Sequence, residues 1–348
     1  MKQFKRLWNE SKALTALCIA MLAVFALSAA GIVLDPRIIT GVPAWLKPAK
    51  FAVSIAIYAG TLAWMFQYIT ISRRFVRWLG VITALMGTIE IIIIDLQAAR
   101  GTTSHFNNAT ALDMALFGVM GLAILILWLA SVGICVVLFR QPFSNRAWGW
   151  SLRLGMLITV IGSLAGGMMV HHGAHTVGAA DGGAGLLGLG WSSTHGDLRI
   201  PHFFGLHGMQ VIPLLYWFVI RKWQGAQTQS VVIAAASYFA LVVLLAIQAL
   251  RGQSIIDPDG LTLVAGTAWL GLTTMALLLV RFSGTKVKSD GVRRRRPNML
   301  LTFLGFEFFQ VQNARHRSGD TSPAARFLGQ VFTPFRGERV KPRLTVTR

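Results

Sequence analysis

The sequence is short of charge, of acidic residues and of cysteine, and each shortage excludes a class of protein. Only 13% of the 348 residues are charged, against about a quarter in an ordinary soluble domain. A soluble globular enzyme is therefore excluded. The two cysteines, Cys18 and Cys135, both fall inside apolar runs, so the chain offers neither a disulfide framework nor a CxxC zinc site.

Long apolar runs are what the sequence has in abundance. Hydrophobic residues make up 54% of the chain, in runs of about 20 that match a hydrocarbon core of about 30 Å. Helices satisfy their own backbone groups there. We predict an all-α, polytopic membrane bundle of about eight spans, at 13–34, 50–70, 77–98, 111–139, 149–172, 202–220, 229–250 and 261–281.

The basic residues fall mostly on one side of these spans. With the N-terminus in the cytoplasm, 27 of the 33 lysines and arginines are cytoplasmic and six are not. This positive-inside bias predicts a bacterial inner-membrane protein with both termini in the cytoplasm. The net charge of +20 then needs no nucleic-acid partner, and the basic tail at 284–348 is predicted to contact anionic lipid headgroups.

Three short matches suggest an internal repeat. The segment Gln97–Gly101 recurs 151 residues later as Gln248–Gly252. Asp35-Pro36-Arg37 resembles Asp197-Leu198-Arg199, and Pro48-Ala49-Lys50-Phe51 resembles Pro201-His202-Phe203. Four spans per half would make two parallel halves, 1–140 and 141–283. Chance resemblance between apolar helices is the alternative.

The stretch Gly196–Gln210 runs from a polar loop into an apolar helix and carries two histidines. Seven of the eight histidines, including His105, are predicted to lie towards the extracytoplasmic side. One interpretation is haem held between spans five and six, with His171 or His172 facing His202 or His207. Gln210 would add a contact to the cofactor.

Glycines on spans five and six allow two interpretations. Gly162, Gly166 and Gly167 on one span, with Gly205 and Gly208 on the other, would leave room for a flat macrocycle. The alternative is close packing of the two helices, for which small residues spaced by four are typical.

A transition-metal site is a second interpretation of the histidines. His171 and His175 are four residues apart and share a helical face, and His202 and His207 could complete a zinc or copper site. The pattern lacks the glutamate of a zinc-protease motif. Histidines that simply bond to backbone or water remain the alternative.

Charged residues near the outer side complete the candidate site. Glu90 lies ten residues before Arg100, about 15 Å below the outer surface, where an ionisable group is a functional candidate. We predict a proton relay or a cation site, and the alternative is a protonated Glu90 that bonds inside the bundle. Arg100, Arg199 and Arg251 are predicted to hold an anion or haem propionates, unless they only snorkel to the interface.

Three functions follow. The leading one is a haem- or metal-binding protein in electron transfer, with a quinone or a redox protein as partner. The second is a secondary transporter of a small, possibly anionic solute, with Pro213 as a hinge. The third is a metal-dependent intramembrane hydrolase in which Asp197 is the general base.

Overall fold

A computed structural model describes residues 2–286 except 183, 184, 187 and 224, with side chains from 3 to 282. The predicted tail at 284–348 falls almost wholly outside these residues. The helices are α1 (Lys2–Glu10), α2 (Lys12–Leu34), α3 (Leu46–Phe66), α4 (Arg73–Ala99), α5 (Ala111–Arg140), α6 (Arg146–Gly162), α7 (Leu164–His172), α8 (Arg199–Leu206), α9 (Gly208–Phe218), α10 (Gln227–Leu250) and α11 (Gly260–Lys286).

Seven helical segments are long and apolar enough to cross a membrane. They are α2, α3, α4, α5, the continuous pair α6–α7, α10 and α11, and the pair α8–α9 would make an eighth if its two helices form one bent span. Leucine, isoleucine and phenylalanine side chains point outwards from these helices. The helices therefore indicate a lipid bilayer environment.

Four loops meet at one end of the bundle, here called the loop end: 35–45, 100–110, 173–198 and 251–259. Two short antiparallel hairpins lie there, β1 (Ile38–Ile39) with β2 (Val42–Pro43), and β3 (Thr176–Val177) with β4 (Gly196–Asp197). The Ser254 hydroxyl donates to the Ser193 carbonyl over 2.9 Å. The glycine-rich stretch after α7 is thus folded onto the other loops.

The contacts among α2–α5 follow an order similar to that of the contacts among α6–α11. In the first half α2 contacts α3 and α4, α3 contacts α4, and α4 contacts α5. In the second half α6 contacts α9 and α10, α8 and α9 contact α10, and α10 contacts α11. The halves join where α5 packs on α6, and one apolar core that includes Leu14, Leu138 and Met209 runs through both.

Glycine lets α6 and α8 touch through their backbones. A Cβ atom added to Gly162 would overlap the Cα atom of Gly205, and one added to Gly205 would overlap Gly162. Two helical turns earlier on α6, a Cβ atom on Gly155 would lie 2.9 Å from the carbonyl oxygen of Gly208, the first residue of α9. The glycines therefore close the space between these two helices.

The bend in the α8–α9 pair lies at His207 and measures 49°. Pro213, predicted as a hinge, lies inside α9 and six residues after this bend. Side chains from other helices satisfy the backbone at the bend: the Met209 N–H donates to the Thr159 hydroxyl over 2.9 Å, and the Tyr238 hydroxyl donates to the Phe204 carbonyl over 2.7 Å. These bonds explain why the bend lies at His207.

Candidate functional site

Glu90 is a carboxyl group enclosed by the bundle. It lies on α4 nine residues before the end of that helix and is only 3% exposed. Its Oε1 atom lies 3.6 Å from the Nε2 atom of His105. Its Oε2 atom is buried and has no hydrogen-bond partner among the described residues. An unpaired carboxyl oxygen at such depth is costly unless a proton, a water or a ligand meets it.

His105 reaches Glu90 because the loop after α4 folds back into the bundle. Its ring packs against Phe51 on α3 and Phe117 on α5, with centroids 5.5 and 6.0 Å away. Burial, together with the charges of Lys47 and His175, holds the pKa of His105 well below its usual range. His105 is therefore a neutral imidazole near pH 7, and its contact with Glu90 is polar rather than an ion pair.

Lys47 is the cation whose charge acts on Glu90. It lies in the first turn of α3, half-buried, with its ammonium 5.9 Å from the centre of the Phe51 ring. Glu90 and Asp181 attract its charge, while Arg199 and Lys50 oppose it. No hydrogen-bond acceptor within reach of Lys47 is found in the described part of the chain, so the lysine is available to a ligand.

The second half of the chain covers this group with His175 and Asp181. The ring of His175 packs edge-on against Phe106, with centroids 4.9 Å apart, and its Nδ1 atom lies 2.7 Å from Asp181. Burial opposes ionisation of Asp181, but hydrogen bonds from His175 and Thr176 outweigh it and lower the pKa of Asp181 below the usual range. Asp181 is therefore an anion at neutral pH.

The histidines predicted as metal ligands are spread out. His171 and His172 are exposed at the end of α7, and the Nε2 atom of His172 lies 3.1 Å from the Thr176 carbonyl. His207 packs on Phe203, with ring centroids 4.4 Å apart. The described residues contain no group of three or more His, Cys, Asp or Glu side chains that could hold a metal ion. The set His171, His175, His202 and His207 is thus not gathered into a metal centre.

The predicted haem gap between spans five and six is filled by the helices themselves. Gly162 and Gly205 meet through their backbones, and a Cβ atom added to Gly166 would lie 3.1 Å from the His202 ring. A flat macrocycle does not fit between helices at this separation. These contacts favour the helix-packing interpretation of the glycines. The His202 ring is buried and interacts with the backbone of Gly162, while its Nδ1 atom has no hydrogen-bond partner among the described residues.

Asp197 forms a closed ion pair with Arg199 instead of standing free as a base. Asp197 is 1% exposed. Its Oδ1 atom accepts from Nε and from the backbone N–H of Arg199, and its Oδ2 atom accepts from Nη2 over 2.6 Å. The Ser192 N–H also donates to Oδ2. Asp35 and Arg37 in the first half make the same set of bonds.

Because the two Asp-x-Arg pairs share a geometry, one serves as the control for the other. Replacing Asp197 by Asn should lower the free energy of unfolding by about 3 kcal/mol, since Arg199 then keeps a partly buried charge without its counter-ion. Asp35→Asn, in the more exposed pair, should cost much less, because solvent screens an exposed ion pair. Thermal melting of the purified protein in detergent measures both. Equal losses would contradict the buried role of Asp197.

Arg100 and Arg251 pair with aspartates at the start of the next helix. Arg100 donates to Asp113 over 2.6 Å, while Thr110 caps α5 and bonds the same Asp113. Thr110 is thus the N-cap residue of α5, and Asp113 is the third residue of that helix.

In the second half the aspartate and the threonine have exchanged places, so that the aspartate precedes the helix and the threonine is its third residue. Asp259 precedes α11 and Thr262 lies three residues later, and Arg251 bonds both. The three arginines predicted to hold a ligand, Arg199 included, therefore all have protein carboxylates as partners.

Gln210 lies where the two halves meet. Its Nε2 atom donates to the Thr61 hydroxyl on α3 over 3.1 Å, and its side chain also interacts with the ring of His207. Asp95, on another face of α4 from Glu90, forms no ion pair with a described residue.

The sequence did not single out Lys47 or Asp181 for a site. In the charge distribution, Lys47 was only one of the six lysines and arginines predicted outside the cytoplasm. A lysine one turn before a phenylalanine in an apolar helix nevertheless indicates a candidate functional residue. The contact between Phe106 and His175 joins loops 70 residues apart, and nothing local predicts it.

The loop end thus gathers one enclosed carboxyl group, neutral His105, an anionic aspartate and a lysine without an acceptor among the described residues. The first half supplies Lys47, Glu90 and His105, and the second supplies His175 and Asp181. No family model, curated protein or solved structure matches the chain.

Proposed function

We propose that the protein is a secondary transporter that moves a small anion together with a proton. Glu90 is the proton site and Lys47 is the anion site. The observation that carries this proposal is the enclosed Glu90 carboxyl, whose Oε2 atom lacks a described partner and on which Lys47 acts as counter-charge.

The charges of these two residues couple the anion to the proton. While Lys47 neutralises an ionised Glu90, an incoming anion is repelled by the carboxylate. An anion that binds Lys47 takes away the counter-charge of Glu90, and an isolated carboxylate at such depth is costly. Glu90 must therefore take up one proton for each anion bound, and the loaded site carries no more net charge than the empty one.

The repeated architecture supports transport. Both halves show a similar packing order, the same Asp-x-Arg geometry and an arginine bonded to an Asp/Thr pair, with the pair exchanged between them. We take these as marks of a duplication that gave halves 1–140 and 141–283. Parallel halves with a site between them can expose that site alternately to either side.

Charge distribution supports the orientation. The loop end would face the extracytoplasmic side of a bacterial inner membrane, with both termini in the cytoplasm. The basic residues of 284–348 would then lie beside anionic headgroups, which attract each charge by about 1 kcal/mol near the surface. Those residues lie largely outside the described part of the chain.

Anion-driven proton uptake into proteoliposomes tests this function. Purified protein is reconstituted with the dye pyranine inside, and chloride, nitrate, phosphate, acetate, lactate and succinate are added outside in turn. At least one of these anions should acidify the lumen faster than in protein-free vesicles, and Lys47→Gln should abolish that response. A lumen that no anion acidifies, in either orientation of the protein, would overturn the proposal.

A redox centre is the second candidate, and the buried, unpartnered Nδ1 atom of His202 favours it. A transition metal bound there, or a haem bound outside the contact between Gly162 and Gly205, would exchange electrons with a quinone or a redox protein. An absorption spectrum and elemental analysis of the purified protein test it. A Soret band or stoichiometric metal that disappears in His202→Ala would support this candidate, and a colourless, metal-free protein would exclude it.

The metal-dependent hydrolase has the least support. Its general base would be Asp197, and both carboxylate oxygens of Asp197 already accept hydrogen bonds from Arg199. A base must be free to take a proton from water.

A further inference from the structure

The buried face of α4 carries a polar residue every seven positions: Thr83, Glu90 and Gln97. Seven residues are nearly two helical turns, so the three side chains share one face at intervals of about 10.5 Å. Each is at most 3% exposed. Gln97 donates to Asp113 over 2.8 Å, but the Thr83 hydroxyl, like Oε2 of Glu90, has no partner among the described residues.

Gln67 continues this line towards the end of the bundle opposite the loop end. It follows α3 directly, and its Nε2 atom is also buried without a described partner. The preceding residue, Phe66, lies 2.9 Å from where a Cβ atom of Gly80 would stand, three residues before Thr83. We call Glu90, Thr83 and Gln67 the polar seam.

Unpaired polar atoms inside a membrane protein need a partner that the side chains do not supply. A buried hydroxyl or amide left unbonded costs about 1–3 kcal/mol, and ordered water is the usual partner of such groups. Along this part of α4 lie Gly87 and Gly80. The side chains that approach Gly87 are Leu17 and Ile55, and those that approach Gly80 are Phe66, Ser11 and Leu14. These side chains can change rotamer, so water can occupy the seam.

We infer that the polar seam holds buried water molecules that conduct protons between Glu90 and the end of the bundle opposite the loop end. Along such a chain each oxygen accepts one proton as it passes on another, and the Thr83 hydroxyl both accepts and donates. The direction of flow rests on the proposed function, with the cytoplasm as the destination. The presence of water does not rest on it.

The variant Thr83→Val tests whether ordered water occupies the polar seam and bonds the Thr83 hydroxyl. It keeps the side-chain shape and removes only the hydroxyl. If water bonds that hydroxyl, the melting temperature of the full-length protein in detergent should fall by several degrees. If the hydroxyl is dry and unpaired, its removal should raise the melting temperature. The matched control is Thr88→Val on the same helix, whose hydroxyl donates to Ala84 over 2.8 Å.

Radiolytic hydroxyl labelling of the wild-type protein gives a second measurement that does not depend on the variant. Ordered water beside Leu17 should make that leucine react several-fold faster than Leu138, which is also buried and is not one of the seam's neighbours at Gly80 or Gly87. Equal, slow labelling together with a raised melting temperature in Thr83→Val would overturn the inference.

The two proposals fail separately. If Leu17 is labelled but no anion drives proton uptake, the inference of water in the polar seam stands and the proposed transporter function fails. If anion-driven proton uptake is unchanged in Thr83→Val and Leu17 is not labelled, the transporter function stands and the inference of water in the polar seam fails.

Discussion

Gly162→Leu is expected to prevent the second half of the bundle from assembling. A Cβ atom at this position would overlap the backbone of Gly205, and a backbone cannot move aside as a side chain can. Overpacking in a core costs about 1–3 kcal/mol and sometimes more, and we expect the upper end here. The measurement is the yield of monodisperse protein on size exclusion in detergent and its melting temperature.

Gly167→Leu is the matched control for that variant. Gly167 lies on α7, and a Cβ atom added there would meet no other atom within 4 Å. Gly167→Leu should therefore give normal yield and a melting temperature close to that of the wild type. Normal assembly of Gly162→Leu would show that α6 and α8 are farther apart than described and would reopen the gap for a haem.

Glu90→Gln is expected to abolish anion-driven proton uptake, down to the rate of protein-free vesicles. Glutamine keeps the size and polarity of the side chain but cannot gain or lose a proton. Glu90→Asp retains the carboxyl group and should retain part of the uptake. Proteoliposomes loaded with pyranine, with the same anions outside, give the rates of all three proteins.

Glu10→Gln is the control for the loss of a carboxyl group. Glu10 pairs with Arg73 at the end of the bundle opposite the loop end, so its replacement should leave uptake unchanged. Full uptake in Glu90→Gln would remove Glu90 from the proton path, whatever the variant does to stability.

The positions of the spans were predictable because they depend on the length of apolar runs. The bend at His207 was not, because Thr159 and Tyr238 stabilise it from other helices. A proline signals a possible kink locally, yet α9 continues through Pro213. Where tertiary hydrogen bonds are available, they decide which residue bends.

The candidate site was predictable only in part, and the reason is similar. Glu90 is recognisable alone, since a carboxyl group deep in an apolar run is conspicuous. The arginines were predicted to face a ligand, but each lies close in sequence to an aspartate that binds it, as Arg199 is to Asp197. The charge interaction between Lys47 and Glu90 acts between two helices, and a single sequence does not reveal it.

Infrared difference spectroscopy tests the coupling of anion to proton most directly. The purified protein is perfused near neutral pH with and without the most active anion of the flux panel, and the carboxylic-acid C=O stretch is followed. We expect anion binding to increase a protonated-carboxyl band in the wild type, and Glu90→Gln to lack that change. An anion that binds the wild type without changing the band, or with the same change in Glu90→Gln, would contradict the coupling of Lys47 to Glu90.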